Sequence, residues 1–409
     1  MRSPKSRSLL SVNEDFEGKR NDKGALLGSF FSIINDMHTI ASITNALFSP
    51  TAEWRTLRGV VVEAEAAEGA RFLVGNSSVV VAARIEGESV MIKCYTRHKP
   101  RLSQIYGKRY HPQELAVYNI MGERHYVDCV VYPRIAGTPL DRVLADKRCD
   151  IRPIANAFEQ LSRILLDKPY AHGDIKPENI ILAEDGQMHL VDWDAAFVPE
   201  LAGEEATEIG TAAYQHPLRT AKHFNAHIDD YSIAYLLTML RWAEIDRSIL
   251  DSYRLNYSFS PSPSEIFSLD RTFVDHLATR FASLGKAREV AIARLLLSPT
   301  VALPTLRHLL QEPIARTDTT IEVEQEAGKW GLRCNEGWVV PPLYDSILEP
   351  RHDITIVGIE GFYSTIRLFS SDIYPLGRAS RLKLYSDGSV SFVDEQGEQQ
   401  FVTIDDILQ

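Results

Sequence analysis

The hydrophobic period of this chain changes twice, and those changes limit the folds that it can adopt. Residues 58–95 read as short β-prone runs, VVVEAEA, RFLVG, VVVAARI and SVMIKCY, separated by polar or glycine-containing breaks. Helical patterns dominate residues 112–313, with one β-like interruption, IILAEDGQMHLVDWD. After Thr317 short strands return, with hairpin signals at Asp387-Gly388 and Gln396-Gly397. The pattern predicts an α+β, bilobal chain with a small β lobe, a larger helical lobe and a small C-terminal all-β unit.

These changes of pattern also predict the domain boundaries. Residues 58–315 form the two lobes, at about 58–132 and 138–315, and residues 320–409 form the β unit, with the boundary at 312–320. Residues 1–57 read as a polar tail followed by an amphipathic helix. The residues that recur there at near-helical spacing are Leu27, Phe30, Phe31, Ile34, His38 and Ile40.

Composition excludes several classes of protein. The net charge is −11, and residues 316–409 hold 8 basic against 16 acidic side chains, which argues against nucleic acid as a partner. The four cysteines form no CxxC pair that would hold zinc, and a reducing compartment is expected. No signal peptide is evident, and the apolar stretch 26–48 carries Asn35 and Asp36, so a packed helix is expected there and not a membrane span. We therefore expect a cytoplasmic protein.

The segment HGDIKPENI, which begins at His172, carries the groups that phosphoryl transfer needs. That reaction requires a carboxylate near the attacking hydroxyl, metal ligands and a cation that holds the nucleotide. Asp174 is followed five residues later by Asn179, so one loop can place a carboxylate at the nucleophile and an amide oxygen at a metal. Asp192 ends the strand that follows a hairpin, from where it can face the same metal.

These residues resemble the protein kinase family, and the resemblance runs from about residue 70 to residue 313. It implies ATP and Mg²⁺ as cofactors and a Ser or Thr hydroxyl of a protein as acceptor. In its terms Asp174 is the catalytic base, Lys176 lies near the transferred phosphate, and Asn179 and Asp192 bind Mg²⁺. The segment Asp192-Trp193-Asp194 stands where the family has Asp-Phe-Gly.

The resemblance extends to the β lobe. Lys93 corresponds to the lysine that holds nucleotide phosphates, and Glu114, in HPQELAVYNI, corresponds to its partner on a helix; Glu123 is a second candidate. Gly75 and Ser77 lie in the loop that would cover the phosphates, which has fewer glycines than the family pattern.

The stretch VVYPRIAGTPL corresponds to the hinge that binds adenine. Tyr132 would be the gatekeeper residue, Pro133 would offer its carbonyl, and Ile135 would offer both its N–H and its carbonyl.

Three further positions correspond to the family pattern around the metal ligands. IGTAAYQHP resembles the end of an activation segment, where Thr211 would contact Asp174 and Lys176, and Asp229 resembles the aspartate that anchors the catalytic loop. Gly173 stands where regulated kinases have arginine, which predicts an enzyme that needs no phosphate on its activation loop, for example at Thr207.

A buried ion pair of the family is absent from this sequence. Leu218 and Leu303 stand at its two positions, so we expect the two leucines to pack together.

Near residue 330 the sequence GKWGL, followed by EGWVVPP, resembles a WG repeat, a short bacterial β-hairpin module. Trp330 would pack the hairpin and Gly337 would make its turn. The acidity of this region would suit a basic protein partner, although the sequence slightly favours a purely structural β cap on the helical lobe.

Two other functions stay open at this point. A small-molecule kinase of the aminoglycoside or choline type is supported by Asp194 and Gly173, and a pseudokinase scaffold by the glycine-poor loop.

Overall fold

The computed structural model describes residues 38–63, 73–75, 77–119, 121–268, 271–311, 320–369 and 372–407. The chain divides into two compact units, residues 1–134 and 135–409. The predicted helical positions Leu27, Phe30, Phe31 and Ile34, and residues 312–319 of the predicted boundary, lie outside the described residues. In the part that is described, no helix is long and apolar enough to cross a bilayer.

The first unit is an antiparallel sheet with a helix on it. Its elements are α1 (Ile40–Leu47), β1 (Val60–Val62), β2 (Leu73–Val74), β3 (Ser78–Ile85), β4 (Glu88–Tyr95), α2 (Leu102–Tyr106), β5 (Tyr110–Tyr118) and β6 (Arg124–Pro133). The sheet has the order β1-β3-β4-β6-β5, with β2 also pairing β3. Helix α1 begins after Thr39, whose hydroxyl caps the backbone N–H of Ser42, and it packs on β3 and β5.

Strand β5 corrects a prediction, because the stretch around Glu114 is not helical. Its residues pair with β6 in the register Leu115 to Val127, with a bulge after His111 at which Gln113 adopts a φ of 49°. On the other side the backbone N–H of Ala116 donates to the carbonyl of Glu53 at 3.0 Å. Hydrogen bonding on both sides outweighs a local pattern that is compatible with a helix.

The second unit is built around one buried helix. All fourteen residues of α5 (Asp230–Ala243) are buried, and α4 and α9 pack against it. The elements before the C-terminal strands are β7 (Gly137–Pro139), α3 (Leu140–Ala145), α4 (Ile151–Leu166), β8 (Ile180–Ala183), β9 (Met188–Leu190), α5, α6 (Ile249–Asn256), α7 (Pro263–Ser268), α8 (Arg271–Ser283), α9 (Ala287–Leu295) and α10 (Pro304–Leu309).

The rest of the second unit consists of three antiparallel sheets and a short last helix, α11 (Ile404–Ile407). Leu332, Val340 and Tyr344 belong to the same buried apolar cluster as the helices, so these strands share a core with the helical part. The strands are β10 (Glu322–Glu326), β11 (Lys329–Cys334), β12 (Gly337–Tyr344), β13 (Ser346–Ile347), β14 (Ile354–Ile359), β15 (Phe362–Arg367), β16 (Ile373–Gly377), β17 (Ser380–Leu384), β18 (Val390–Val393) and β19 (Gln399–Val402).

Local turn signals in this region are confirmed. Gly388 and Gly397 have φ values of 84° and 85° in the links β17–β18 and β18–β19, as the hairpin signals predict. Gly331 has a packing reason to be glycine, because a Cβ there would lie 2.5 Å from the carbonyl oxygen of Val340. Trp330 pairs across the sheet with Tyr344.

Candidate active site

The 172–179 loop is held in place by one buried carboxylate. Asp229, at the start of α5, accepts hydrogen bonds from the backbone N–H groups of His172 at 2.5 Å and Gly173 at 2.8 Å. Burial raises the pKa of Asp229 above its ordinary value, although these N–H groups act in the opposite direction. The anchoring contact predicted from the sequence is therefore present.

The ring of His172 gives the loop a second attachment. Its Nε2 lies 2.9 Å from the carbonyl of Val191, and its Nδ1 accepts the backbone N–H of Asp174 at 3.2 Å. One nitrogen donates and the other accepts, which is the pattern of a neutral imidazole. The indole of Trp193 packs edge-on against this ring at 4.7 Å, so the residue after Asp192 also supports the loop.

Gly173 is required by the shape of the backbone. Its φ is 83°, and a Cβ at this position would lie 2.1 Å from the carbonyl oxygen of Ala195. An L-residue would therefore meet both an unfavourable dihedral and a backbone atom. The absence of an arginine here follows from this close approach.

The Asp174 carboxylate has polar contacts on both oxygens. Oδ1 accepts the backbone N–H of Thr211 at 2.6 Å, and Oδ2 lies 3.1 Å from both Nζ of Lys176 and Nδ2 of Asn179. Burial alone would raise the pKa of Asp174, but the Lys176 charge and the Thr211 N–H outweigh it, so the pKa lies below its ordinary value. The group is ionised at neutral pH and can orient a hydroxyl group.

Lys176 also donates to the Thr211 hydroxyl at 2.9 Å, so Thr211 makes both contacts that the sequence predicts. Gly210, with a φ of 83°, allows this approach, because a Cβ there would lie 2.9 Å from Oδ1 of Asp174. The segment after Ile209 is thereby held against the 172–179 loop.

The amide of Asn179 suits a magnesium ligand. Its Nδ2 donates to the backbone carbonyl of Asp174 at 2.9 Å as well as to the carboxylate, which leaves Oδ1 directed elsewhere as a hard oxygen donor. Asp192 has a φ of 65°, an uncommon conformation for a non-glycine residue and one that often marks a functional site. Among the described residues no group of three or more His, Cys, Asp or Glu side chains has metal-binding geometry. Mg²⁺ held by Asn179 and Asp192 would complete its shell with phosphate oxygens and water.

The predicted phosphate-binding residues of the first unit lie on strand β4 and between strands β2 and β3. Lys93 is on β4, is 5% exposed, and has its Nζ 5.3 Å from the centre of the Tyr95 ring. Gly75 and Ser77 lie in the turn between β2 and β3, where the N–H of Gly75 donates to the carbonyl of Ser78 at 2.9 Å. The carbonyl of Ser77 accepts the N–H of Thr96 at 2.9 Å.

Glu114 lies on strand β5 and not on the helix that the sequence predicts. Its fully buried carboxylate accepts three hydrogen bonds, from the backbone N–H of Thr56 at 2.8 Å, the Thr56 hydroxyl at 2.5 Å and the N–H of Leu57 at 2.8 Å. It holds the chain before β1 onto β5. The alternative, Glu123, lies in an exposed turn where it accepts from Asn119 at 2.7 Å.

The predicted hinge residues lie at the end of β6. Tyr132 pairs with Met91 and Pro133 with Val90, while the N–H of Arg134 donates to the carbonyl of Ser89 at 3.1 Å. Ile135 is the first residue of the second unit.

Arg219 supports the site and was missed in the sequence. Its buried guanidinium donates from Nη1 to the carbonyl of Gly173 at 3.1 Å, and burial lowers its pKa. The sequence around Arg219, QHPLR, carries no signal of this buried contact. Leu218 is 47% exposed whereas Leu303 is buried, so position 218 is not the buried site that the expected packing of the two leucines requires.

Comparison with known proteins agrees with this geometry. No family model matches the chain. It is similar to serine/threonine-protein kinase ULK3 of Xenopus laevis, with 25% identity over 40% of this chain and 36% of that protein. It is also similar to CBL-interacting serine/threonine-protein kinase 7 of Arabidopsis thaliana (27%, covering 36% of each) and to Aurora kinase of Eremothecium gossypii (28%, covering 36% and 38%). The chain spans about a third of the length of these relatives. These matches show that it contains a protein-kinase-like domain.

Proposed function

We propose that this protein-kinase-like domain transfers the γ-phosphoryl group of ATP to a Ser or Thr hydroxyl of a protein. The observation that carries the proposal is the ionised Asp174 carboxylate, with Lys176, Asn179 and the Thr211 N–H all within 3.1 Å of its oxygens. Asp174 would orient the acceptor hydroxyl, and Lys176 would offset charge on the transferred group. Asn179 and Asp192 would hold Mg²⁺, which supplies charge neutralisation at the phosphates.

The remaining roles are proposed from the resemblance. Lys93 would bind phosphate oxygens together with Gly75 and Ser77, and Tyr132, Pro133 and Ile135 would bind adenine. Glu114 is left out, since its carboxylate already accepts three hydrogen bonds from Thr56 and Leu57.

We further propose that activity does not require phosphorylation of the activation segment. Thr211 contacts Asp174 and Lys176 directly, through its own backbone N–H and hydroxyl. Gly173 provides no cation that would bind such a phosphate, and the neighbouring Glu204, Glu205 and Glu208 would repel one.

A protein acceptor is preferred because the chain has the segment 209–217 that small-molecule kinases generally lack, and because its relatives are named as protein kinases. We also propose that the acidic C-terminal strands, with their resemblance to a WG repeat, contact a basic protein partner, and that the protein acts in the cytoplasm.

Two observations favour a pseudokinase as the second candidate. The family resemblance assigns the stretch around Glu114 to a helix whose glutamate pairs with Lys93, but this stretch is strand β5. The phosphate loop has one glycine, Gly75. Both features would weaken nucleotide binding, which makes nucleotide affinity the property to measure beside transfer.

The test is an assay with γ-labelled ATP, Mg²⁺ and a basic protein acceptor. Asp174→Asn keeps the side-chain size and should lower transfer at least about 100-fold, the order of general-base contributions. Asp185→Asn is the matched control, since Asp185 lies in the exposed β8–β9 turn. Nucleotide binding without transfer, equal in wild type and Asp174→Asn, would indicate a pseudokinase. Label on a metabolite but on no protein would indicate a small-molecule kinase.

A further inference from the structure

A cavity of about 320 Å³ lies within the second unit, where the N-terminal end of α9 meets the C-terminal strands. This volume is within the range of pockets that hold small organic ligands. The cavity is distant in sequence from every residue assigned above to phosphoryl transfer, so a ligand in it is independent of the proposed function.

Most of the cavity wall is apolar. Val340 and Leu343 of β12 and Ile366 of β15 line it, and Val340 and Ile366 are buried members of the core that joins these strands to the helices. An apolar ligand body placed against these side chains would leave water, which is the main source of affinity in such pockets.

The charged side chains of the wall are mostly cationic. Lys286, Arg288 and Arg367 line the cavity against one carboxylate, that of Glu289. Arg288 is already committed to Glu159, with distances of 2.9 and 3.0 Å. Lys286 forms an ion pair with Glu244 at 3.6 Å, and Arg367 donates from Nε to Asp353 at 2.9 Å and has its Nη1 3.9 Å from Asp372. The ion-pair distances of 3.6 and 3.9 Å exceed hydrogen-bonding length, so Nζ of Lys286 and the terminal nitrogens of Arg367 could still donate to an anion.

Two further donors occur in the wall. Tyr344 is 5% exposed and lines the cavity, and no hydrogen bond involves its hydroxyl in the part of the chain that the structure describes. Burial raises the pKa of this hydroxyl, so it stays protonated as a donor. Helix α9 has no side-chain cap at Lys286, and its first intrahelical bond is made by the N–H of Val290; the N–H of Ala287 donates to the carbonyl of Gly285 at 3.0 Å, so only the N–H groups of Arg288 and Glu289 are left for a ligand.

We propose that this cavity binds a small organic anion with an apolar body, such as a medium-chain or aromatic carboxylate or sulfonate. The apolar part would lie against Val340, Leu343 and Ile366. The anionic group would accept hydrogen bonds from Lys286, Arg367 and the Tyr344 hydroxyl. Because the wall comes from both the helical part and the C-terminal strands, the ligand would stabilise their attachment.

The test uses the full chain and the fluorescent probe 8-anilinonaphthalene-1-sulfonate. Its emission should rise with saturation at one site, octanoate should displace it, and octanol at equal concentration should not. Thermal unfolding should shift upward with octanoate and remain unchanged with octanol. Equal displacement by octanol would overturn the recognition of an anion.

Variants locate the site. Leu343→Trp fills the cavity and should abolish probe binding, whereas Leu382→Trp, at a half-buried leucine of β17 outside the cavity, should not. Arg367→Gln should weaken binding roughly tenfold, as expected for loss of a charged hydrogen bond. Arg378→Gln is its control, at an exposed arginine 3.6 Å from Glu395.

Tyr344→Phe removes only the hydroxyl and keeps the proposal testable if Leu343→Trp does not fold. It should weaken binding by severalfold. Unchanged binding in Leu343→Trp, or in Arg367→Gln and Tyr344→Phe together, would overturn the proposal.

Discussion

The backbone N–H of Thr211 donates a hydrogen bond to Oδ1 of Asp174 at 2.6 Å. A backbone donor on the segment after Ile209 is thus attached to the carboxylate proposed to orient the acceptor hydroxyl. Any change that moves this segment changes the surroundings of Asp174, so the two are expected to be functionally coupled.

This attachment predicts that Thr207 is dispensable. Thr207 is exposed and lies in an acidic stretch, so Thr207→Ala should transfer phosphate at the wild-type rate, and phosphatase treatment should leave that rate unchanged. Thr211→Val is the comparison, because it removes the hydroxyl that Lys176 contacts and should lower the rate roughly tenfold. Loss of activity in Thr207→Ala, with recovery in Thr207→Glu, would contradict independence from phosphorylation.

Gly173 and Gly186 separate the cost of the backbone dihedral from the cost of a steric clash. Both have positive φ, 83° and 80°, but a Cβ meets the Ala195 carbonyl at position 173 and nothing within 4 Å at position 186. Gly186→Ala should cost about 1–2 kcal/mol of unfolding free energy. Gly173→Ala should cost a further 1–3 kcal/mol or so. Urea denaturation of both variants measures the difference, and equal losses would show that the Ala195 contact relaxes freely.

What could be predicted from the sequence was mainly local. The 172–179 loop was found because its groups are a few residues apart, and the hairpins at Gly388 and Gly397 because turn chemistry is a property of neighbouring residues. The contacts of Thr211 and Asp229 span 37 and 57 residues and came from the family resemblance.

The stretch around Glu114 shows why the rest was not accessible. Its pattern is compatible with a helix, and the structure makes it a strand because β6 and the segment near Glu53 supply hydrogen-bonding partners on both sides. Arg219 was missed for a similar reason, since an arginine in a sequence gives no sign that a carbonyl such as that of Gly173 will lie beside it.

The contacts of Glu114 give a prediction that distinguishes a structural role of its carboxylate from the expected pairing with Lys93. Glu114→Gln should destabilise the first unit by about 1–3 kcal/mol, because an amide cannot accept all three hydrogen bonds from Thr56 and Leu57. The KM for ATP of the folded protein should stay near the wild-type value, in contrast to Lys93→Met. A variant of unchanged stability and strongly raised KM would instead support a Glu114 partner for the lysine.

Glu159 joins three helices through its carboxylate. It accepts from Arg163 at 2.6 Å and Arg241 at 2.6 Å, and from both terminal nitrogens of Arg288. Burial alone would raise the pKa of Glu159, but the charges of Arg288, Arg241 and Arg163 outweigh it, and the pKa lies below the ordinary value of 4.5.

A carboxyl whose pKa is lowered by folding stabilises the protein above its ordinary pKa and loses that contribution as the pH falls through the lowered value. Glu159→Gln should therefore cost up to about 3–5 kcal/mol at neutral pH, since it removes the anion that three buried or half-buried arginines share. Arg241 and Arg288 each keep one further carboxylate, Glu244 and Glu289. The difference in unfolding free energy between wild type and Glu159→Gln should shrink as the pH falls below 4.5. Urea denaturation across that pH range measures it, with Glu395→Gln as the control at an exposed pair. A difference that does not depend on pH would mean that the arginines do not act on Glu159 through its charge.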